Sequence, residues 1–273
     1  MSNNTMLRGV LRVAAAAALA GTFAGSALAS QSWPGIRDEL YRGRTLHDGS
    51  ALITLVAPDR PDDQLNVPVS VDAKFRDGRA VKSVTLIIDE NPAPVAAVFR
   101  FGPNRAHVGL ASTFRFDAVT GVRAIVEAND GELYMAERHV RFTGGQSACA
   151  APPNGSPEEI AAKMGKMQLA ELTPRATRSN ELQRVRLEIG HPNHTGMVKD
   201  QITLLYIQLL LLNHVAVRQG DDTVVEIEGS MSVSQDPRFE FDFLTNGADE
   251  LAVTAGDTSG ATWEKAFPLG PAS

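Results

Sequence analysis

The sequence predicts an all-β protein in which two antiparallel β-sandwich domains stand in tandem, joined by a segment with a short helix. Short runs of alternating apolar and polar residues, rich in Val, Ile and Phe, recur along most of the chain. Turn signals such as Asp77-Gly78 and Asp130-Gly131 separate neighbouring runs, and no long helical pattern lies between them. Strands at this spacing, without intervening helices, are typical of antiparallel sandwiches.

The first 29 residues have the pattern of a secretory signal peptide. Arg8 and Arg12 make a basic beginning, a stretch of small apolar residues follows, and Ala27-Leu28-Ala29 has the form of a cleavage site. The apolar stretch is shorter than the ~20 residues that a membrane span needs. We therefore expect a mature protein that starts near Ser30, is located in the periplasm and has no membrane span.

The charge and size of the chain limit its partners. The 273 residues carry a net charge of −6 at pH 7, and the sequence contains no polybasic run. An acidic protein of this kind is a poor match for nucleic acid or for an anionic membrane surface. The length is sufficient for two ordinary domains.

The first predicted domain covers residues 30–143. A short helix is expected over residues 33–44, because Pro34 suits a first helical turn and Gly43 suits the end. Strands are then predicted at 52–56, 67–73, 81–89, 95–101, 112–116, 122–128 and 133–142.

The segment 144–178 differs in composition and is predicted to be a flexible loop followed by a linker helix. Gly144 and Gly145 give the backbone conformational freedom. Ser156 has the position of an N-cap and Pro157 that of the first helical residue, with acidic residues in the first turn. An apolar stripe that reaches Met167 indicates a helix of about three turns.

The second predicted domain covers residues 179–273. Its strands are predicted at 182–189, 202–217, 224–228, 231–233, 239–243, 250–254 and 262–267. In the run 239–243 three phenylalanines alternate with acidic residues, which is the pattern of a half-buried strand.

Cys149 is the only cysteine, and it lies in the predicted loop. A lone thiol in an exported protein indicates either a reactive group that bonds to another molecule or an incidental residue of a linker. An unperturbed thiol has a pKa of about 8.5. His139 and Arg141 would lower that pKa if the loop folded back onto them; otherwise they form a solvated strand edge. Cys149 is the candidate for covalent attachment, with Gly144 and Gly145 as its flexible arm.

Other chemical patterns are weak. His191 and His194 flank Pro192 in a manner that could bind copper or zinc, but no carboxylate or thiol pattern completes the ligand set, and a structural role in the turn is expected. His47 and His107 stand alone, and no function is expected of them. The sequence has no nucleophile elbow, phosphate loop, haem motif or acid–base pair. We therefore expect no catalytic residue, no metal, no cofactor and no enzymatic activity.

Several motifs are similar to those of a known pair of families. In the first half these are Asn66-Val67-Pro68-Val69 and Asp89-Glu90-Asn91-Pro92-Ala93-Pro94; in the second half they are the stretch from His191 to Asp200 and Ser234-Gln235-Asp236-Pro237. The first half resembles SoxY and the second half resembles SoxZ. The whole chain most closely resembles the fused form, the quinoprotein dehydrogenase-associated SoxYZ-like carrier.

The resemblance implies a function. SoxY and SoxZ are immunoglobulin-like sandwiches that pair with each other, and the cysteine of a C-terminal glycine-rich SoxY arm carries sulfur intermediates between enzymes. Here Gly144-Gly145 match the arm's glycines, whereas Cys149 follows four residues after Gly145 and lies mid-chain. The resemblance implies a periplasmic sulfur carrier that presents Cys149 to sulfur-oxidation enzymes. The alternative is a scaffold that binds a quinoprotein (PQQ) dehydrogenase or its cytochrome without thiol chemistry.

Overall fold

Two β-sheets face each other in the computed structural model, and each sheet contains strands from both halves of the chain. The structure describes residues 31–142, 147–174, 178–200 and 203–269. The predicted signal peptide and the predicted arm of Gly144 and Gly145 lie outside these residues. The helices are α1 (Trp33–Tyr41) and α2 (Pro157–Lys163), and the strands are β1 (Leu46–Asp48), β2 (Ile53–Val56), β3 (Val67–Lys74), β4 (Val81–Ile88), β5 (Val95–Phe101), β6 (His107–Phe114), β7 (Thr120–Ala128), β8 (Leu133–Val140), β9 (Met167–Glu171), β10 (Leu182–Ile189), β11 (Leu212–Gln219), β12 (Asp222–Gly229), β13 (Arg238–Leu244), β14 (Glu250–Asp257) and β15 (Thr262–Pro268).

The two halves are joined edge to edge. The nine-stranded sheet has the order β1-β8-β7-β4-β5-β12-β11-β14-β15, and the six-stranded sheet has the order β2-β3-β6-β13-β10-β9. Strand β5 of the first half pairs with β12 of the second, and β6 pairs with β13. These two strand pairs form what we call the seam. The halves therefore share both layers of one sandwich instead of standing apart.

The core continues across the seam. One cluster of buried apolar side chains contains residues of both halves. Phe99 from β5 and Phe239 from β13 lie in opposite sheets, and their ring centroids are 6.4 Å apart in an edge-to-face arrangement. Aromatic pairs of this geometry add to the stabilisation that burial of the rings provides. The seam is thus packed as a domain interior.

Helix α1 covers the outer face of the nine-stranded sheet. Ile36 packs against Ile87, Ile125 and Leu133. The guanidinium of Arg123 lies 4.1 Å from the ring centroid of Trp33. None of the helices in the described part of the chain is long and apolar enough to cross a membrane.

The all-β class with short helices is confirmed, and the strands follow the predicted runs with a few differences. Residues from Met167 to Glu171 form strand β9 instead of extending helix α2, because they pair with β10. The predicted strand 202–217 begins only at Leu212. Before it the chain reverses at Leu204, whose φ of 59° is left-handed.

Candidate functional site

Cys149 is the middle residue of a short 3-10 helix, Ala148–Ala150, and its side chain is fully buried. The predicted exposure of this thiol is therefore wrong, whereas the flexibility of its loop stays a prediction. We call residues 147–151 the Cys149 segment. Small and polar residues make a segment mobile when no other part of the protein binds it. Here the residues that bind the segment come from distant parts of the same chain.

The carboxylate of Asp117 holds the Cys149 segment from one side. Its Oδ1 accepts a hydrogen bond from the backbone N–H of Cys149 at 2.7 Å, and its Oδ2 accepts one from the Ser147 hydroxyl at 2.6 Å. From the other side, the hydroxyl of Thr195 donates to the Cys149 carbonyl. The backbone N–H and C=O of Cys149 are thus bonded to side chains of the first and the second half respectively.

Asn91 fixes the turn that carries Asp117. Its side-chain amide donates to the Arg115 carbonyl at 2.7 Å and to the Ser232 hydroxyl at 2.9 Å. Its Oδ1 accepts from the backbone N–H of Asp117 at 3.0 Å. This residue belongs to the Asp89–Pro94 motif, so that motif positions the residues that hold Cys149.

The guanidinium of Arg115 lies beneath the segment and is buried. It donates to the carbonyls of Val233 at 2.6 Å, Met231 at 3.3 Å and Pro192 at 3.4 Å. All three acceptors belong to the second half, whereas Arg115 follows β6 of the first. This side chain therefore ties the two halves together at the site.

The surroundings of Cys149 disfavour its thiolate. Burial, followed by the charge of Asp117 and a hydrogen bond to it, raises the pKa of the Cys149 thiol to about 12, and the charge of Arg115 opposes the shift. Only the thiolate is a good nucleophile. In this conformation the thiol is therefore protonated and unreactive at neutral pH.

Two surface clefts meet at the Cys149 segment. One, of about 560 Å³, is lined by Arg60, Asp62 and Arg141 together with Ala148 and Ala151 of the segment. The other, of about 450 Å³, is lined by charged and polar residues that include Arg115, Lys163 and Arg238, together with Ala151. Ala151 of the segment therefore borders both clefts, whereas the buried Cys149 borders neither.

His191 and His194 belong to a turn that is held by side-chain and backbone hydrogen bonds. His191 is buried and its Nδ1 lies 2.8 Å from Asn193 Oδ1, while the carbonyl of His194 accepts from the Leu210 N–H at 2.9 Å. Asn193 Oδ1 also accepts from the backbone N–H of Leu212 at 2.8 Å. The turn therefore positions Thr195 so that its hydroxyl contacts the Cys149 segment.

Sequence reasoning missed most of the contacts around the thiol. The sequence indicates His139 and Arg141 as residues that would lower the thiol pKa, whereas the charged groups that shift it in the structure are Asp117 and Arg115. The one available indication of this site was Arg115, which lies between Phe114 and Phe116 and is followed closely by Asp117. Asn91 and Thr195 lie within the quoted motifs, but no role at Cys149 was predicted for them.

Comparison with known families gives two matches that together span most of the chain. The family described as "Sulfur oxidation protein SoxY" matches residues 37–147. The family described as "Sulphur oxidation protein SoxZ" matches residues 171–268. Cys149 lies just beyond the end of the first match.

Solved structures show weaker similarity. The sulfur carrier protein SoxY from Chlorobium limicola f thiosulfatophilum is 22% identical with a TM-score of 0.33, and the match covers 41% of this chain and 97% of that one. A superoxide reductase (neelaredoxin) from Ignicoccus hospitalis is 16% identical with a TM-score of 0.28, covering 33% and 80%. A beta-glycosidase from Bacteroides vulgatus is 8% identical with a TM-score of 0.23, covering 79% and 24%. A search of curated proteins gives no match.

Proposed function

Since this chain is a fused SoxY-like and SoxZ-like protein, we propose that it serves in sulfur oxidation as a non-enzymatic carrier whose covalent attachment point is Cys149. One observation carries the proposal. Motifs of both halves converge on this single thiol: Asn91 orients Asp117, and the His191 turn supplies Thr195. The pattern of the first 29 residues supports a periplasmic location, and the two family matches support enzymes of sulfur oxidation as partners.

Carriage requires the Cys149 segment to open. Within the described part of the chain, the backbone of the segment makes two local hydrogen bonds besides the contacts from Asp117 and Thr195: Ala150 N–H to Ser147 O at 3.1 Å and Ala151 N–H to Ala148 O at 3.3 Å. No strand pairing holds it. Hydrogen bonds to a charged group contribute about 1.5–3 kcal/mol each and neutral ones about 1 kcal/mol, so local opening costs on the order of several kcal/mol. Opening of this segment alone leaves the sandwich intact.

The open state restores ordinary thiol chemistry. Once in water and away from Asp117, the thiol regains a pKa near 8.5, at which a few per cent is thiolate at neutral pH. Attachment of a sulfur intermediate replaces the S–H bond by an S–S bond and removes a proton and two electrons. A partner enzyme supplies the electron acceptor. The protein itself supplies the attachment point and protects the thiol between encounters.

The first test measures the accessibility of the thiol. We expect Ellman's reagent to label the wild-type protein at pH 8 at least 100-fold more slowly than a free cysteine peptide. Asp117→Ala removes two of the contacts on the segment, so its labelling rate should rise at least tenfold. Asp62→Ala is the matched control, because Asp62 lines the adjacent cleft and has no contact with Cys149. Circular dichroism verifies that each variant is folded. Wild-type labelling at the peptide rate, or a folded Asp117→Ala that labels no faster, would contradict the closed geometry.

The second test concerns cargo. Mass spectrometry of protein isolated from its native periplasm should show a sulfur adduct on Cys149, and Cys149→Ser should abolish sulfur oxidation that depends on this protein. Full activity of Cys149→Ser together with a thiol that is always unmodified would exclude the carrier role, even if the accessibility test succeeds.

An exposed apolar hairpin favours the second candidate, a scaffold for a quinoprotein dehydrogenase or its cytochrome. Leu204, Leu205 and Tyr206 are 72%, 70% and 61% exposed. Met197 and Leu209, which are also exposed, belong to the two chain segments that are bridged at Lys199 and Tyr206. Clusters of exposed apolar side chains mark interaction sites. In this function the buried thiol has no chemical role.

Binding to the purified dehydrogenase separates the two functions. For a scaffold, Cys149→Ala binds like the wild type, whereas the double variant Leu204→Ser, Leu205→Ser loses at least tenfold in affinity. Both variants are compared by calorimetry with an exposed control substitution, Val119→Ser. Failure of the wild type to bind the dehydrogenase or its cytochrome would exclude the scaffold.

A further inference from the structure

In the sequence His107 stands alone, but in the structure it belongs to a cluster on the outer face of the six-stranded sheet. The cluster also contains Asp72 and Asp242, and the three ligand atoms lie within 4.8 Å of one another. His107 Nε2 is 2.7 Å from Asp72 Oδ2. Among the described residues this is the one group of three such side chains close enough to share a metal ion.

Gly109 makes room for one of these side chains. Gly109 of β6 is paired with Asp72 of β3. On its other side the carboxylate of Asp242 reaches over it, so that a Cβ at position 109 would lie only 2.2 Å from Asp242 Oδ2. Any other residue at 109 would displace the carboxylate. The glycine thus allows the carboxylate of Asp242 to lie close to Asp72 and His107.

The carboxylate of Asp242 is mostly enclosed and has one cationic partner. Its side chain is 7% exposed, and Arg184 Nε lies 3.1 Å from its Oδ1 in an ion pair. This N–H has no aligned hydrogen-bond acceptor among the described residues. The other oxygen, Oδ2, lies over Gly109, and Arg184 Nη2 approaches the same position. Burial of a carboxylate is unfavourable unless cations and hydrogen bonds compensate for it, so a metal ion beside Asp72 and His107 would stabilise the charge of Asp242.

We propose that Asp72, His107 and Asp242 bind one divalent first-row transition-metal ion. One imidazole nitrogen and two carboxylate oxygens form a donor set that suits Zn²⁺, with water in the fourth position. Tetrahedral ligands at about 2.0–2.2 Å from zinc lie roughly 3.3–3.6 Å apart. The present spacing reaches this value with small side-chain rotations. The imidazole disfavours Ca²⁺ and Mg²⁺, which take oxygen ligands.

The site would connect the two halves. Asp72 and His107 belong to β3 and β6 of the first half, whereas Asp242 belongs to β13 of the second, so the bound ion spans the seam. A ligand that binds only the folded state stabilises it in proportion to ln(1 + [L]/Kd). We therefore expect a structural ion that stabilises the fused sandwich, independent of the chemistry of Cys149.

Zinc titration of the full chain tests the proposal. After treatment with a chelator, calorimetry with ZnCl₂ at pH 7.5 should show one equivalent bound, and the thermal midpoint should rise with zinc concentration. Affinity should drop at least tenfold in His107→Ala and in Asp72→Asn; the second change removes a carboxylate that is largely exposed and should not affect folding. Mg²⁺ and Ca²⁺ should bind at least tenfold more weakly.

The matched control is His47→Ala. His47 Nε2 lies 2.6 Å from Glu132 Oε2, so it forms a similar histidine–carboxylate pair without a third ligand. Zinc affinity should be unchanged in this variant. Zinc binding that persists in both His107→Ala and Asp72→Asn, or a wild type that binds no zinc at millimolar concentration, would overturn the site.

Discussion

Cys149→Ala is expected to remove a loss of stability that the wild-type protein suffers above pH 9. Burial and Asp117 raise the pKa of the thiol from its ordinary value of about 8.5–9 to about 12 in the folded state. Between these values the unfolded chain has released the proton and the folded chain retains it. The unfolded state then binds fewer protons, so the free energy of unfolding falls as pH rises, by about 1.4 kcal/mol per pH unit. Well below pH 8.5 both states are protonated and the effect vanishes.

Urea unfolding at pH 8, 9, 10 and 11 measures this effect as a difference between wild type and Cys149→Ala. Other groups that titrate in this range, such as Tyr41 and the lysines, contribute to both proteins and cancel. The constant loss from removal of the buried sulfur appears at pH 8 and is subtracted. If the two proteins lose stability in parallel from pH 8 to 11, the folded thiol has an ordinary pKa and Cys149 is not enclosed as described.

The strands could be predicted from the sequence because alternation of apolar and polar residues reports directly which face of a strand is buried. The run 239–243, for example, forms β13 with its three phenylalanines inside. The helix start at Ser156 was predictable for a similar reason, since its capping box is local. Such signals require only neighbouring residues.

Pairing between distant strands was not predictable in the same way. Nothing in β5 or β12 indicates that these two edges meet, because alternation says nothing about which strand is the neighbour. The same limit explains the error at Cys149. The composition of the Cys149 segment predicts mobility, whereas Asp117, which binds the segment, lies 32 residues away in the sequence. The cluster around His107 likewise exists only because of the register of β3, β6 and β13.

Arg115→Leu is expected to lower the free energy of unfolding by about 3–5 kcal/mol. The guanidinium is the hydrogen-bond donor to the carbonyls of Met231, Val233 and Pro192, and its loss leaves these groups buried without that donor. Each buried unsatisfied group costs about 1–3 kcal/mol. Part of this is recovered because a buried cation no longer needs to be desolvated. The loss should appear in equilibrium urea unfolding at pH 7.5, followed by circular dichroism and by tryptophan fluorescence.

Trp33 and Trp263 place one fluorescent probe in each half, so the same experiment shows whether the halves unfold together. With strands paired across the seam in both sheets and one shared core, we expect a single transition in the wild type and in Arg115→Leu. Arg100→Ala is the matched control, because Arg100 forms an exposed ion pair with Glu228 across the same seam at 2.7 Å. Exposed pairs contribute about 0–1 kcal/mol, so this variant should remain close to the wild type. If Arg115→Leu and Arg100→Ala lose the same free energy of unfolding, the buried hydrogen bonds of Arg115 do not stabilise the contact between the halves. Separate unfolding transitions would show that each half is stable without the seam.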